Sequence, residues 1–489
     1  MQDYAYKTTP FKHQDEFVNR TWSLPVRGLF WEQGTGKTKS IIDTAALLYE
    51  RGGIDAVLVV APNGVHRNWI NDEIPIHMPE RVRNRMLAYH YDSSKAPTQK
   101  AQRNLDQVME WNGLAFLAIS YNGFMTDRGK KTIKKFLTRR KCLYVLDESH
   151  HIKAPGIKRT KTIVASGAYA PYRRILTGTP VAEGPFGAYA QVRFLDPGFW
   201  IPHGLGSYAA FKAYFGVWKT REETRQKLGY DPGYDQLLSY RNLDELQRLL
   251  RSISDRVTKE DAGLDLPEKL YSKRYFEMTT LQRRTYETLK ETYVAELRDG
   301  TLLEADLAIV RLLRLQQITC GYAQTDAKEP MRLVDKSNPR LDLLIEEILP
   351  SLGHKAIIWC RFRHDIDQIM AALGPIAVRY DGQVTDDQAE KAKNAFQTGD
   401  AQFFVANISK GKEGLTLHAA KTVIYYSNSF KLLERMQSED RAHRIGLKHP
   451  VHYIDIIAPN TVDVQIHRAL RDKQNIQALI IGDGLREWL

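Results

Sequence analysis

Residues Glu32–Thr38 read Glu-Gln-Gly-Thr-Gly-Lys-Thr, between a short apolar run and an apolar stretch with helical spacing. Glycine-rich backbone N–H groups that open a helix form a cradle for phosphates. In such a cradle Lys37 reaches the β- and γ-phosphates and Thr38 ligates Mg²⁺. A strict phosphate loop has glycine where this chain has Trp31, so the stretch alone also fits a glycine-rich turn before a helix. Further on, Cys142–His151 (CLYVLDESHH) ends an apolar run with two acids. Asp147 would hold the Mg²⁺ ion and Glu148 would orient or deprotonate an attacking water, the two tasks phosphoryl transfer requires. Two acids at a strand end also suit a solvated turn. Following a phosphate loop at this distance, they point to nucleoside triphosphate hydrolysis.

Such groups need strands and helices to bring them together. Short apolar runs at Arg27–Trp31, Ala56–Pro62, Leu114–Ser120, Cys142–Glu148 and Arg173–Pro180 alternate with helical stretches. The pattern returns at His354–Cys360, Ile376–Gly382, Ala401–Ser409, Lys421–Asn428 and Val451–Pro459. Near-continuous apolar strands spaced by helices predict parallel sheets covered on both faces. The fold class is therefore α/β, with one unit over residues 1–190 and a second over 337–489. The interval 191–336 reads as a mainly helical insertion: it holds no proline from Glu268 to Ala327 and carries helical periodicity.

Composition sets the outer limits. Seventy basic against 58 acidic residues give a net charge of +12, which suggests a polyanionic partner but also fits ordinary solubility charge. No apolar run approaches the ~18 residues of a membrane span, and the N-terminal residues lack a signal-peptide core. Three scattered cysteines, Cys142, Cys320 and Cys360, suit neither a disulfide framework nor a zinc site. The expectation is a reducing, cytoplasmic compartment without a membrane partner, and a chain with so little outside these units suits a bacterial or viral-host setting. The run Arg128–Lys141 holds eight Lys/Arg and no acid, with Ile133, Phe136 and Leu137 at helical spacing. It reads as an amphipathic helix, its basic face solvated or a phosphate track.

The ordered series of motifs resembles the superfamily 2 helicase-like ATPases, specifically the Swi/Snf-type branch of double-stranded DNA translocases. The resemblance rests on PFKHQ (10–14), EQGTGKT (32–38), VLVVAPNGVHRNWINDEI (57–74), AISYNGF (118–124), LDESHHIKAP (146–155) and ILTGTP (175–180). It continues through KAIIWCRFRHDID (355–367), ANISKGKEGLTLHAA (406–420), which resembles motif V of that family, and QSEDRAHRIG (437–446), which resembles motif VI. In this superfamily the outermost loop glycine is dispensable, which accounts for Trp31. Departures are D-E-S-H in place of D-E-A-H, Phe430-Lys431-Leu432 in place of Trp-Asn-Pro, and Leu447 in place of a glutamine.

The resemblance implies two tandem RecA-like lobes that use ATP and Mg²⁺. It assigns Gln14 to adenine, Gly34, Thr35, Gly36, Lys37, Thr38 and Gly414 to the nucleotide, and Thr177 and Thr179 to coupling with lobe movement. Arg441 and Arg444, three apart and expected on one helix face, would reach the γ-phosphate from the second lobe. Asn63, His66, Arg67, Tyr121, Asn122, Arg361, Arg363, Ser409 and Lys410 are candidates for phosphate contacts with double-stranded DNA, without sequence readout. The implied activity is a DNA-dependent ATPase that translocates on duplex DNA and remodels protein–DNA or branched DNA, with any targeting left to the insertion or a protein partner. The alternatives are a strand-separating helicase on forks, junctions or R-loops, and a nucleic-acid-binding scaffold that only senses nucleotide.

Replacing Arg444 by alanine should lower ATP turnover by about 10³–10⁵-fold, the usual worth of an arginine finger. Nucleotide binding should weaken far less. Steady-state hydrolysis measured beside nucleotide affinity checks this, and a variant with normal turnover would remove Arg444 from the chemistry.

Overall fold

The computed structural model describes residues 4–223, 235–264, 266–298, 305–323, 331–334, 338–410, 415–444 and 447–481. The chain divides into two compact units, the first built mainly from Met1–Phe215 and Asn242–Asp265 and the second mainly from Gly216–Arg241 and Leu266–Ile476.

Seven parallel strands form the sheet of the first unit. They are β1 (Val26–Trp31), β2 (Ala56–Ala61), β3 (Met86–Tyr91), β4 (Leu114–Ser120), β5 (Cys142–Asp147), β6 (Tyr172–Leu176) and, after a hairpin of the second unit, β9 (Ser254–Val257). Their order is β3-β4-β2-β5-β6-β1-β9. Every residue of β2, β4 and β5 is buried, as helices on both faces of a parallel sheet require. The hairpin pairs β7 (Gly216–Lys219) with β8 (Gln236–Tyr240) in antiparallel fashion.

Six more parallel strands make the sheet of the second unit: β10 (Lys269–Tyr275), β13 (Ala356–Cys360), β14 (Ala377–Tyr380), β15 (Phe403–Asn407), β16 (Thr422–Tyr425) and β17 (Val451–Ile457). They run in the order β10-β17-β16-β13-β15-β14. A two-residue pair, β11 (Tyr322–Ala323) with β12 (Met331–Arg332), is separate. Two RecA-like parallel-sheet units thus stand in tandem.

The interval expected as a mainly helical insertion is divided instead. Its strands β9 and β10 complete the first and second sheets respectively; Lys269–Tyr275, expected to be helical, is an edge strand, and the helices Thr280–Arg298 and Ala305–Thr319 follow it. The basic run forms the helix Asp127–Arg139, with Ile133, Phe136 and Leu137 buried and Thr126 capping its N-terminus. No helix among the described residues is long and apolar enough to cross a membrane.

The second unit also holds a buried charge cluster. Arg435 binds Asp455 through two nitrogens, at 2.6 and 3.0 Å, and its Nε donates to Glu439 at 2.8 Å. Its guanidinium lies 3.5 Å from the centre of the Tyr425 ring. Glu439 also accepts from Lys269 and from the Tyr271 hydroxyl, which ties β10 to the helix Leu432–Glu439. Burial works against the charge on Asp455, yet Arg435, aided by His467, holds that carboxyl well below the usual range. Burial likewise opposes the Glu439 charge, and Lys269 and Arg435 keep it low. A second buried arginine, Arg340, pairs with Asp463 and donates to the Tyr426 carbonyl.

Arg435→Met should cost about 3–5 kcal/mol in urea unfolding, because the buried Asp455 loses its arginine and Glu439 is left with Lys269 as its cation. The sign of the pH dependence follows from carboxyl pKa values depressed in the folded state. The stabilisation is present above the ordinary carboxylate range and is lost as pH falls through it and below. The wild-type protein should therefore lose more stability between neutral pH and pH 3 than the variant does. Equal acid sensitivity in both would contradict this account of the cluster.

Candidate active site

In the first sheet β5, β6 and β1 lie side by side, so groups about 30, 150 and 180 residues into the chain leave from the same edge. The loop after β1 carries the phosphate cradle, β5 ends in Asp147, and β6 leads into Thr177. Trp31, at the missing-glycine position, is the last residue of β1. It is fully buried, with its ring packed edge-on to Phe17 at 5.1 Å. The turn therefore starts later, at Gly34 and Gly36, whose φ angles of 85° and 81° suit glycine. Gly36 also answers a contact, because a Cβ there would lie 1.9 Å from Gln14 Nε2.

Gln14 has two jobs in this loop. Its Oε1 accepts from the Phe11 N–H, which opens the helix Lys12–Thr21, and its Nε2 donates to the carbonyls of Thr35 and Gly36. His13 also meets the Thr35 carbonyl, at 2.8 Å. Lys37, first residue of the helix Lys37–Glu50, donates to the carbonyls of Trp31 and Glu32 at 2.9 and 3.0 Å. Its charge thus sits over the loop and favours the ionised forms of both Asp147 and Glu148.

Asp147 is held from two directions, by the Trp69 Nε1–H at 2.9 Å and by the Glu148 N–H at 2.9 Å. Burial first, and the Glu148 charge second, push its carboxyl up. Glu148 moves the other way: although burial opposes its charge, the hydrogen bond and charge of His150, then Lys37, hold it low. Its backbone is left-handed, with φ 50° and ψ 54°, and begins the short turn Ser149–Ile152. His150 Nδ1, Thr177 Oγ1 and Glu148 Oε2 form a triangle with sides of 3.2, 3.3 and 3.4 Å. Thr177 also accepts the Thr179 N–H and donates its own backbone N–H to Leu29 of β1. Ser149 Oγ donates to Gln191 at 2.7 Å, and Gln191 donates to the Pro180 carbonyl.

Among the described residues no group of three or more His, Cys, Asp or Glu could hold a metal by itself. That fits Mg²⁺, which takes one or two protein ligands and completes its shell with phosphates and water. The half-buried Thr38 and the buried Asp147 supply an oxygen donor set of that kind.

Several assignments need correction. The helix carrying motif VI ends at Glu439, so Arg441 and Arg444 lie on the turn beyond it, not on one helix face. The turn is tightened by backbone bonds such as Arg441 N–H to the Ser438 carbonyl. It aims both arginines at the end of motif V, Arg441 at the Leu415 carbonyl and Arg444 at Thr416 Oγ1. His66 is buried, and burial pushes its imidazole down to about 4, so it offers no charge to a phosphate. Tyr121 is buried, donates to the Asp147 carbonyl at 2.8 Å and stacks on His151. Lys410 donates to the carbonyls of Asp381 and Val384, and the half-buried Arg361 to Gln316. Asn63, Arg67, Asn122, Arg363 and Ser409 are exposed; Arg67 pairs with Asp92, Asn122 accepts from Arg159, and Ser409 donates to Glu434. Gly414 lies outside the described residues.

His150, Trp69 and Gln191 are site residues that motif reading passed over. His150 and Trp69 were visible inside the motif stretches, while Gln191 had no signal.

The family model for the SNF2-related domain matches residues 13–322, and that for the helicase conserved C-terminal domain matches residues 339–446. The chain belongs to the SNF2-related family of helicase-like ATPases. This SNF2-related chain is 26% identical over 469 residues to the "Probable ATP-dependent DNA helicase CHR12" of Arabidopsis thaliana, covering 93% of this chain and 40% of that protein. It is also 26% identical over 469 residues to the human "SWI/SNF-related matrix-associated actin-dependent regulator of chromatin subfamily A member 1", with 93% and 41% covered. It therefore spans about two-fifths of the length of these curated relatives. Among solved structures it is similar to "Sulfolobus solfataricus SWI2/SNF2 ATPase core in complex with dsDNA", at 22% identity and TM-score 0.41, covering 99% of this chain and 95% of that one.

Glu148→Gln should keep nucleotide affinity within a few fold while turnover stops, because Asp147 and the loop are untouched. Nucleotide binding by fluorescence beside phosphate release decides this. A variant that cannot bind would put Glu148 in ligand binding instead of water activation.

Proposed function

We propose that this chain hydrolyses ATP to ADP and phosphate to drive itself along double-stranded DNA, without reading its sequence, and so remodels protein–DNA or branched DNA. The observation that carries the reading is the triangle of His150, Thr177 and Glu148 beside the phosphate loop. It connects the water-activating carboxylate to the segment after β6, the link a motor needs between hydrolysis and movement.

When bound, Mg²⁺ neutralises phosphate charge; Thr38 and Asp147 would hold it. Lys37 turns from the carbonyls of Trp31 and Glu32 to the β- and γ-phosphates. Glu148 Oε takes a proton from the water whose oxygen attacks the γ-phosphorus. Arg441 and Arg444, as the resemblance implies, would add positive charge to the γ-phosphate as the bond to ADP breaks. Gln14, beside the loop carbonyls, reads the adenine edge. The exposed Asn63, Arg67, Asn122, Arg363 and Ser409 take backbone phosphates, which positions duplex DNA without specifying sequence. The relatives' names, a DNA helicase and a regulator of chromatin, support DNA as the track. A reducing intracellular compartment, and a protein partner for targeting, belong to the same reading.

ATPase activity should be low alone and rise with duplex DNA of arbitrary sequence. The stimulation should fall steeply with salt, as counterion release demands. In a paired assay the protein should strip a third strand from a triplex while leaving the duplex annealed. Melting of the duplex would replace translocation with strand separation, and nucleotide binding without hydrolysis would replace the motor with a scaffold.

A further inference from the structure

The second unit carries a cleft of about 200 Å³ beside the carboxyl ends of β10 and β17. Lys273 and Tyr275 enter it from β10, two residues apart and so on one face of the strand. Arg468 and Arg471 enter from the helix Val462–Ile481, three residues apart and so on one face of that helix. Ile457, at the end of β17, is buried and gives the cleft an apolar wall. His467 completes the lining, its Nε2 lying 3.4 Å from Asp455.

The charge here is unbalanced. Among the described residues no carboxylate lines the cleft, and Asp455 is already bound by Arg435. Lys273, Arg468 and Arg471 form no ion pair or side-chain hydrogen bond among the described residues, unlike Arg379, Arg435 and Arg340 of the same unit. Three like charges gathered in a concavity repel one another and focus a positive potential, whereas a solvated surface normally mixes its signs. Arginine forks and a lysine ammonium together match the oxygens of a phosphate, and the apolar wall strengthens such contacts by keeping water from one side. The carboxyl ends of parallel strands are also where open α/β sheets hold ligands.

We propose that this cleft is a phosphate-binding subsite of the second unit, separate from the nucleotide loop. Its phosphate comes either from a nucleic-acid backbone, a source that rests on the motor function proposed above, or from a free phosphate anion, which does not.

The test uses the full chain with Lys273→Ala, Arg468→Ala and Arg471→Ala combined. Arg468 and Arg471 are exposed, and the half-buried Lys273 makes no ion pair or side-chain hydrogen bond among the described residues, so the melting temperature without ligand should be unchanged. In the first arm, duplex DNA affinity is measured across salt concentration. Loss of three phosphate contacts should flatten the log–log slope by about 2.7, while Arg468→Lys with Arg471→Lys should keep it. In the second arm, inorganic phosphate is titrated against melting temperature in a Lys37→Ala background, which weakens the loop's contribution. A rise that the triple substitution abolishes identifies a free anion as the ligand. An unchanged slope together with an unchanged phosphate response overturns the subsite. A wild-type chain that binds no duplex sinks the motor reading, and the second arm then decides the cleft alone.

Discussion

Strands that run in one direction all end along one edge of their sheet, and this constraint assembles the site of the first unit. Because β5, β6 and β1 are neighbours in the order of the sheet, the segments that follow them have to meet. The nucleotide loop, the acid pair and Thr177 need no long connections to reach one another. What remains is to fix each group's angle, and backbone contacts do most of that. Gln14 and His13 hold loop carbonyls, Trp69 and the Glu148 N–H hold Asp147, and the Thr177 backbone joins β1. The price is a set of buried polar groups: most find a partner, while Trp31 Nε1, Gln33 Oε1 and Thr179 Oγ1 have none among the described residues.

The second unit solves a different problem. Its motif VI segment leaves the helix after Glu439 and must still present two arginines in a defined direction. Arg435 and Glu439 at the helix end are locked to Asp455, Lys269 and Tyr271 from two neighbouring strands. A buried ion cluster adds little net stability over an apolar one of the same shape, but its geometry is directional, and direction is what a turn outside any helix lacks. Arg441 and Arg444 then bind the end of motif V, so the two motifs of this unit are joined through the residues assigned to the chemistry.

The central strands of both sheets, the loop, Asp147 and Glu148 were legible in the sequence, because full burial leaves an unbroken apolar run and the loop has its own glycine signature. The strands of the two large sheets that escaped, β3, β9 and β10, all lie at sheet edges. An edge strand is covered on fewer sides, so its side chains are mixed: Lys269–Tyr275 reads Lys-Leu-Tyr-Ser-Lys-Arg-Tyr and resembles the helix that follows it. The candidate nucleic-acid contacts were legible as motif members but not as surfaces. Nothing in the letters of the stretches 57–74 and 118–124 says that His66 and Tyr121 turn inward while Asn63 and Asn122 stay out, since that depends on where short helices pack against β2, β4 and β5. The arginines of motif VI fail as a helix pair for the same reason: spacing of three is helical only while the helix lasts.

The backbone of Glu148 shows how rigidity and freedom are divided at the site. A left-handed conformation in a residue other than glycine costs on the order of 1–3 kcal/mol and persists only where its surroundings fix it. Here the fixing bonds are short: Glu148 N–H to Asp147 at 2.9 Å, and Ser149 to Gln191 at 2.7 Å. The contacts of the Glu148 carboxylate with His150 and Thr177 are 3.3 and 3.4 Å, beyond the range of strong hydrogen bonds. The main chain is thus pinned and the carboxylate is held loosely. Rotation of its side chain gives up two long contacts, whereas displacement of Thr177 would disturb both β1 and the Thr179 N–H. A carboxylate that turns to meet a water trades contacts with His150 and Thr177, so its orientation is communicated to the segment after β6 through these two long contacts.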